Sequence, residues 1–201
     1  MRKIIVLGTR NIGKIAEFQA LLSGEDITLL SWQDYDYPFF VVEDGATFCR
    51  NAWKKAELTA RITGEVAIAD DSGLEVPYLN QDPGIFSARY AGVGATDEEN
   101  NAKLLRQLKG VTGEKRKARF VCAIVICSSS GEFDWVEGEC WGRIADSPRG
   151  KGGFGYDPVF FVTEMGKTFA ELSSEEKNQI SHRARAVEKL RPLLKKYFRG
   201  K

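Results

Sequence analysis

Short apolar runs alternate along the chain with segments in which apolar residues recur every three or four positions. The apolar runs predict buried strands at residues 3–7, 27–32, 66–69, 118–127 and 159–162. The helical spacing predicts helices at residues 15–22, 48–62, 96–108 and 184–194. Residues 135–142 alternate between polar and apolar and follow a serine-rich turn, so we expect them to form a hairpin with the strand before them.

Local signals mark the ends of several of these elements. Thr47 precedes the second predicted helix and is expected to cap it or to lie in its first turn. Thr96 and Glu99 match a capping box at the start of the third. Pro192 lies inside the last predicted helix, where its missing N–H group predicts a bend or an early stop.

The strand that begins at Val66 leads into two adjacent carboxylates and a Ser-Gly pair, Asp70-Asp71-Ser72-Gly73. We expect the strand to end there in a turn, at the strand end where α/β folds usually place their chemistry. Neighbouring residues of a strand point to opposite faces, so one aspartate is expected to bind and the other to orient or cap. The alternative is a polar turn without a function.

Composition limits the classes of partner. The chain has 29 basic and 28 acidic residues and a net charge of +1, so bulk electrostatics predicts neither a nucleic-acid nor a membrane partner. A length of 201 residues with 43% hydrophobic content predicts a single domain over residues 1–201, in which two lobes could share one sheet.

The cysteines are expected to be reduced and mostly buried thiols. They show no Cys-x-x-Cys spacing, and with His182 as the only histidine a structural zinc site has too few ligands. The first apolar run is too short for a signal peptide, and no run approaches the roughly 18 apolar residues of a membrane helix. The expected compartment is the cytoplasm.

Two glycine-containing segments are candidates for phosphate or base binding. Gly8-x-x-x-x-Gly13-Lys14 follows a strand and opens a helix, as in a phosphate-binding P-loop, but Ile15 stands where a P-loop needs Ser or Thr to bind Mg²⁺. A true P-loop, another anion-binding loop and an uninvolved turn all remain open. Residues 150–157 could likewise be a binding loop, with Phe154 or Tyr156 as a stacking ring, or a strained turn between strands.

Three acids and three lysines carry charges that a metal-bound phosphate would need. The candidate Mg²⁺ ligands are carboxylates that leave room for water and substrate phosphates, namely Glu43, Asp70 and Asp71. The candidate counter-charges are Lys14, Lys55 and Lys177. Each lysine could instead be a solvated surface residue.

Six motifs occur in order along the chain. They are Thr9-x-Asn11-x-x-Lys14, Glu43-x-Gly45-x-Thr47-Phe48-x-x-Asn51-Ala52, Ala69-Asp70-Asp71-Ser72-Gly73-Leu74, Pro83-Gly84-Ile85-Phe86-Ser87-Ala88-Arg89-Tyr90, Gly152-Gly153-Phe154-Gly155-Tyr156-Asp157-Pro158 and Lys177-x-x-x-Ser181-His182-Arg183. Together they cover nearly the whole chain and resemble the inosine triphosphate pyrophosphatase family, whose members hydrolyse non-standard purine nucleoside triphosphates.

The resemblance implies an elongated two-lobed α/β fold, with a long mixed β-sheet flanked by helices and an active site in the cleft between the lobes. It also implies a homodimer. The implied reaction is Mg²⁺-dependent hydrolysis of ITP, dITP or XTP to the monophosphate and pyrophosphate, which would cleanse the nucleotide pool.

The same resemblance assigns roles to individual residues. Asp71 is the implied general base with Asp70 in support, and Glu43 and Asp71 hold the metal. The implied triphosphate contacts are Thr9, Arg10, Asn11, Ile12, Gly13, Lys14, Lys55 and Lys177. The implied nucleoside pocket is formed by Ser72, Phe154, Gly155, Tyr156, Asp157, His182 and Arg183.

Two other classes of function fit parts of the chain. One is a P-loop ATPase or kinase that releases orthophosphate, with residues 66–70 as its Walker B strand, and Ile15 argues against it. The other is a nucleotide-sensing or RNA-binding module without turnover. The lack of a basic surplus argues against RNA binding, and the intact candidate metal ligands argue against an inactive enzyme.

Overall fold

A computed structural model describes residues 3–198, and its strands form one mixed seven-stranded sheet. In chain order the strands are β1 (Ile4–Leu7), β2 (Thr28–Ser31), β3 (Val66–Glu75), β4 (Lys117–Cys127), β5 (Phe133–Ile144), β6 (Phe160–Val162) and β7 (Lys167–Thr168). The order across the sheet is β2-β1-β3-β4-β5-β6-β7. β1 is parallel to β2 and β3, whereas β6 is antiparallel to β5 and β7. The predicted α/β class with a mixed sheet is confirmed.

The helices form where the apolar spacing and the capping residues predict them. They are α1 (Ile12–Leu21), α2 (Phe48–Thr63), α3 (Asp97–Gln107), α4 (Ser174–Ile180) and α5 (His182–Tyr197). The Thr47 hydroxyl accepts a hydrogen bond from the Arg50 N–H and so caps α2. Thr96 and Glu99 form the predicted capping box at the start of α3. Both capping predictions are confirmed.

The chain divides into two compact units, each with its own apolar core. The first contains the described residues up to Asp71, Cys122–Gly138 and the described residues from Arg183 onward; the second contains Ser72–Val121 and Glu139–His182. In the first unit, apolar side chains of β1, β3 and β4 pack with those of α1 and α5, and alanines of α2 pack on β3 and β4. In the second, the rings of Phe120, Phe160 and Phe169 lie at the centre of the core.

The structure corrects two expectations about where elements end. The strand from Val66 does not end in a turn at Asp70-Asp71-Ser72-Gly73, because β3 continues through all four residues to Glu75. Cationic side chains compensate both carboxylates, so the strand continues despite its polar residues. Of the two effects expected of Pro192, the early stop is wrong, because the last helix runs to Tyr197, and a bend stays a prediction. Burial of Leu190 and Leu194 on either side, worth about 1.5–3 kcal/mol each, offsets the roughly 3 kcal/mol that an internal proline costs.

All four cysteines are free thiols, as predicted. Cys122, Cys127 and Cys140 are buried, and Cys49 is partly exposed. Burial raises the pKa of the Cys127 thiol, which keeps it protonated and unreactive. Between residues 3 and 198, the structure contains no helix that is both long and apolar enough to cross a membrane.

Candidate active site

Asp71 lies within hydrogen-bond or ion-pair distance of two side chains of α2. The Asn51 amide Nδ2 donates to Asp71 Oδ2 at 3.0 Å, and Lys55 Nζ lies 3.7 Å from Asp71 Oδ1. The same ammonium donates to Glu43 Oε2 at 3.0 Å. The Lys55 ammonium therefore lies near both candidate metal ligands, Glu43 and Asp71.

The pKa values of this cluster follow from burial and from the neighbouring charges. Burial raises the pKa of the Asp71 carboxyl above its ordinary value, and the nearby Glu43 carboxylate adds to the rise, although the lysines of the cluster oppose it. Burial alone would lower the pKa of Lys55, but the carboxylates of Asp71 and Glu43 outweigh burial and raise it. Asp71 is therefore a stronger base than an exposed aspartate, beside a lysine that stays charged.

Asn51 connects the segment that carries Glu43 to Asp71. Its Oδ1 accepts the Gly45 N–H at 2.8 Å while its Nδ2 donates to Asp71, so both ends of the amide are used. A Cβ at Gly45 would lie 2.6 Å from Asn51 Oδ1, which explains the glycine in this close approach. The 0% exposure of Asn51 shows that the amide is part of the built site rather than a surface group.

Asp70 faces a different set of charges. Its Oδ2 lies 3.0 Å from Lys14 Nζ and 2.9 Å from Arg183 Nη2. Arg183 also forms a close ion pair with Glu17 of α1, and the Cys122 thiol lies 3.8 Å from Asp70 Oδ2. Adjacent residues of a strand point to opposite faces. The ion pairs of Asp70 are accordingly with Lys14 and Arg183, and that of Asp71 is with Lys55.

Arg183 is buried in the first unit with the acids of this network. It is 1% exposed, and the carboxylates of Asp70 and Glu17 raise its pKa although burial opposes the charge. The structure thus places Arg183 beside Asp70. A contact of Arg183 with a purine base stays a prediction.

The predicted phosphate-binding segment, residues 9–14, leads into α1 and contains its first turn. Asn11 is the N-cap, and its Oδ1 accepts the Lys14 N–H at 3.0 Å. Thr9 Oγ1 accepts the Asn11 N–H at 3.2 Å, and Arg10 donates to the Tyr37 carbonyl. The helix begins at Ile12, earlier than predicted, so Gly13 and Lys14 lie in its first turn.

In the second unit, a buried ion pair holds the predicted glycine-rich loop. Lys177 Nζ donates to Asp157 Oδ2 at 2.5 Å, and the same oxygen accepts the Phe154 N–H at 3.0 Å. The Lys177 ammonium also lies 5.0 Å from the centre of the half-buried Phe154 ring. A Cβ at Gly153 would lie 2.0 Å from Asp157 Oδ2, so only glycine fits there.

The other predicted residues of the second unit differ in exposure. Tyr156 is buried, its hydroxyl donates to the Ser87 carbonyl at 2.9 Å, and burial raises its pKa. Of the two candidate stacking rings, Phe154 is therefore the accessible one. His182 is buried and stacks on Phe120 with ring centres 4.6 Å apart, whereas Ser72 is half-buried.

The described residues offer few oxygen donors for a metal ion. Residues 3–198 contain no group of three or more His, Cys, Asp or Glu side chains arranged to hold an ion. Glu43 and Asp71 form a two-carboxylate set, held near one ammonium. Mg²⁺ is commonly bound by one or two carboxylates together with water and substrate phosphates, so this pair fits Mg²⁺ but not a closed protein cage.

Comparisons with known proteins identify the family of the chain. The sequence model of the Ham1 family matches residues 5–193 of the chain. This chain belongs to the Ham1 family. This match, together with relatives that are named dITP/XTP pyrophosphatase, confirms the family resemblance inferred from the six motifs.

Relatives of this Ham1-family chain match it over nearly their full length. It is 55% identical over 184 residues to a protein of Geobacter sulfurreducens named dITP/XTP pyrophosphatase, covering 91% of this chain and 92% of that one. A Bacillus licheniformis protein of the same name is 50% identical over 192 residues, covering 96% and 98%. Ham1 proteins of Staphylococcus aureus and Coxiella burnetii have similar structures, with TM-scores of 0.85 and 0.86 at 43% and 42% identity, each covering 96% of this chain and 99% of the other.

From the sequence, no role was assigned to two residues of the candidate site, Asn51 and Glu17. Asn51 lies four positions before Lys55, so helical spacing already places the two on one face of α2. Glu17 lies three positions after Lys14 on α1, which is the same kind of signal. Their partners Asp71 and Arg183 come from distant parts of the sequence, and spacing alone could not have shown those contacts.

Proposed function

We propose that this protein hydrolyses dITP, XTP and ITP to the nucleoside monophosphate and pyrophosphate. One observation carries the proposal: the buried carboxylate of Asp71 accepts from Asn51 and lies with Glu43 around the ammonium of Lys55. A base, two metal-binding oxygens and a positive charge are what a water attack on a phosphate anhydride needs. The relatives named dITP/XTP pyrophosphatase support the same reaction.

In the proposed reaction, Asp71 accepts a proton from a water molecule. The water oxygen forms a bond to the α-phosphorus, the bond from that phosphorus to the α–β bridging oxygen breaks, and pyrophosphate leaves. The raised pKa of the Asp71 carboxyl favours its role as proton acceptor, and the Asn51 amide fixes the direction of the carboxylate. No nucleophilic side chain is needed.

We assign the metal to Glu43 and Asp71, whose oxygens suit Mg²⁺. When bound, Mg²⁺ would neutralise phosphate charge and lower the pKa of a bound water. Lys55 lies against both carboxylates and keeps their charges compensated.

Positive groups of the first unit are assigned to the triphosphate. Lys14 and Lys55 supply ammonium groups, and residues 9–14 lead into the N-terminus of α1, which attracts anions. Lys177 is the further phosphate contact that the resemblance implies, and its ion pair with Asp157 fixes its present position.

Purine selection is assigned to Ser72, Phe154, His182 and Arg183. Phe154 would stack on the base, and donors from Arg183 or from backbone N–H groups would bind a 6-oxo group. Adenine has an amino group there and would leave those donors unpaired, at about 1–3 kcal/mol, or roughly tenfold to a hundredfold in discrimination per group. Guanine shares the 6-oxo group, so its rejection requires a tight or acceptor-poor pocket near the 2-amino group.

The proposed cellular role is to cleanse the nucleotide pool, and the resemblance leads us to expect a homodimer.

The proposal is tested by measuring kcat/KM for dITP, XTP, ITP, GTP and ATP with Mg²⁺, with pyrophosphate and orthophosphate quantified separately. We expect pyrophosphate from the inosine and xanthine nucleotides and at least tenfold lower turnover of ATP and GTP. Orthophosphate released chiefly from ATP would support the P-loop alternative instead. GTP turnover equal to that of dITP would refute the proposed rejection of the 2-amino group.

A further inference from the structure

The glycine-rich loop that carries Phe154 is held by α3 at one residue, Gly155. The Gly155 N–H donates to Asp97 Oδ2 at 2.6 Å, and the Gly155 carbonyl accepts from Asn101 Nδ2 at 2.9 Å. Asp97 and Asn101 are four positions apart and therefore lie on one face of the helix. Both polar groups of this peptide residue are thus taken by two side chains of α3.

Gly155 has open space on the side where a side chain would lie. A Cβ at Gly155 would meet no atom within 4 Å apart from those of its two neighbours in the chain, and the residue adopts a φ of +62°. A cavity of about 550 Å³ lies between the loop and α3 and is lined by residues of both, including Glu98. Gly155 has no side chain to pack, so its two hydrogen bonds to α3 restrain it directly.

The residues on either side of Gly155 have their own anchors. Phe154 donates its N–H to Asp157, and the Tyr156 hydroxyl donates to the Ser87 carbonyl. Between these two anchors, rotation of the Gly155 peptide groups would change the direction of the Phe154 ring. Glycine at positive φ resists such rotation least of all residues.

We propose that Asp97 and Asn101 are positioning residues that fix the Phe154 ring for the purine base through the backbone of Gly155. The inference rests on the proposed function, because it takes Phe154 as the stacking ring. Neither side chain is assigned a contact with the substrate. Their loss is expected to affect binding of the base more than the chemical step, which depends on Asp71.

The catalytic test compares four variants with wild type, using dITP as substrate and tripolyphosphate as a base-free inhibitor. Asn101→Ala is expected to raise KM for dITP about tenfold, with kcat changed less than about threefold. Asn101→Asp is expected to raise KM further, because its carboxylate would face the Gly155 carbonyl. Asp97→Asn should have a milder effect, because its amide oxygen still accepts the Gly155 N–H. Glu98→Ala, which lines the same cavity, is the matched control and should resemble wild type.

Inhibition by tripolyphosphate separates positioning of the base from general damage. We expect its inhibition constant to stay within about twofold of wild type in the Asn101 variants, since it lacks a base to stack. An unchanged KM in both Asn101→Ala and Asn101→Asp would overturn the inference. A rise in KM matched by an equal rise in the tripolyphosphate constant would also overturn it.

Hydrogen exchange tests the same restraint without catalysis. Amide exchange in the peptide that contains residues 150–157 is expected to be about tenfold faster in Asn101→Ala than in wild type, and unchanged in Glu98→Ala. If exchange is faster in Asn101→Ala but the wild type hydrolyses no purine triphosphate, the proposed function is refuted and the restraint by α3 stands. Active wild type with unchanged exchange and unchanged KM in Asn101→Ala would refute the restraint alone.

Discussion

Replacement of Asp71 by asparagine is expected to lower kcat for dITP hydrolysis by about 10³-fold or more. The change removes the proposed proton acceptor and one of the two carboxylates assigned to Mg²⁺. Asparagine keeps the shape of the side chain and an oxygen that can still accept from Asn51, so the fold should be retained. Steady-state kinetics with saturating Mg²⁺ measures the loss, and calorimetric titration with dITP measures the binding that should survive.

Asp44→Asn is the matched control for this experiment. Asp44 is exposed, lies next to Glu43 in the sequence and forms an ion pair with Lys54 at the surface. Its loss should leave kcat within about twofold of wild type, because exposed ion pairs contribute little. An Asp71→Asn enzyme that kept more than about a tenth of the wild-type kcat would show that another group activates the water.

Replacement of Arg183 by methionine is expected to lower the free energy of unfolding by about 3 kcal/mol. The carboxylate of Asp70 is 0% exposed and forms ion pairs with Lys14 and Arg183. The substitution removes the second of these ion pairs and keeps the first. It also removes the cation that pairs with Glu17. The cost of an insufficiently compensated buried charge exceeds what the apolar methionine side chain regains. Urea denaturation followed by circular dichroism measures the change.

Arg185→Met provides the comparison on the same helix. Arg185 is exposed, so its replacement should change the free energy of unfolding by less than about 0.5 kcal/mol. Arg183→Lys should lie between the two, because one ammonium cannot reproduce the two-sided contact of the guanidinium. If Arg183→Met were as stable as Arg185→Met, the buried network around Asp70 would have no role in stability.

The sequence predicted the elements well where hydrophobic period and capping agreed. Thr47 with α2, and Thr96 and Glu99 with α3, gave helix starts that the structure reproduces. The predictions were wrong where long-range contacts decide the local structure. β3 passes through Asp70 and Asp71 because cations from α1, α2 and α5 compensate the charges, and no local pattern announces those partners.

The residue types of the candidate site could be predicted from the sequence, but the contacts between them could not. The adjacent aspartates, Glu43 and the lysines could be chosen by residue type, and the opposite directions of Asp70 and Asp71 followed from strand geometry. Their partners could not be assigned, because contacts such as Asn51 with Asp71 join distant parts of the chain. The restraint of Gly155 by Asp97 and Asn101 was invisible for the same reason, since more than 50 positions separate the loop from α3.

The most direct test of the proposed reaction is hydrolysis of dITP in ¹⁸O-labelled water, with mass spectrometry of each product. Attack of water on the α-phosphorus predicts one ¹⁸O atom in the deoxyinosine monophosphate and none in the pyrophosphate. Label in pyrophosphate would place the attack on the β-phosphorus. Label in orthophosphate, with the diphosphate as the other product, would mean attack on the γ-phosphorus and would contradict the assignment of this chain as a pyrophosphatase.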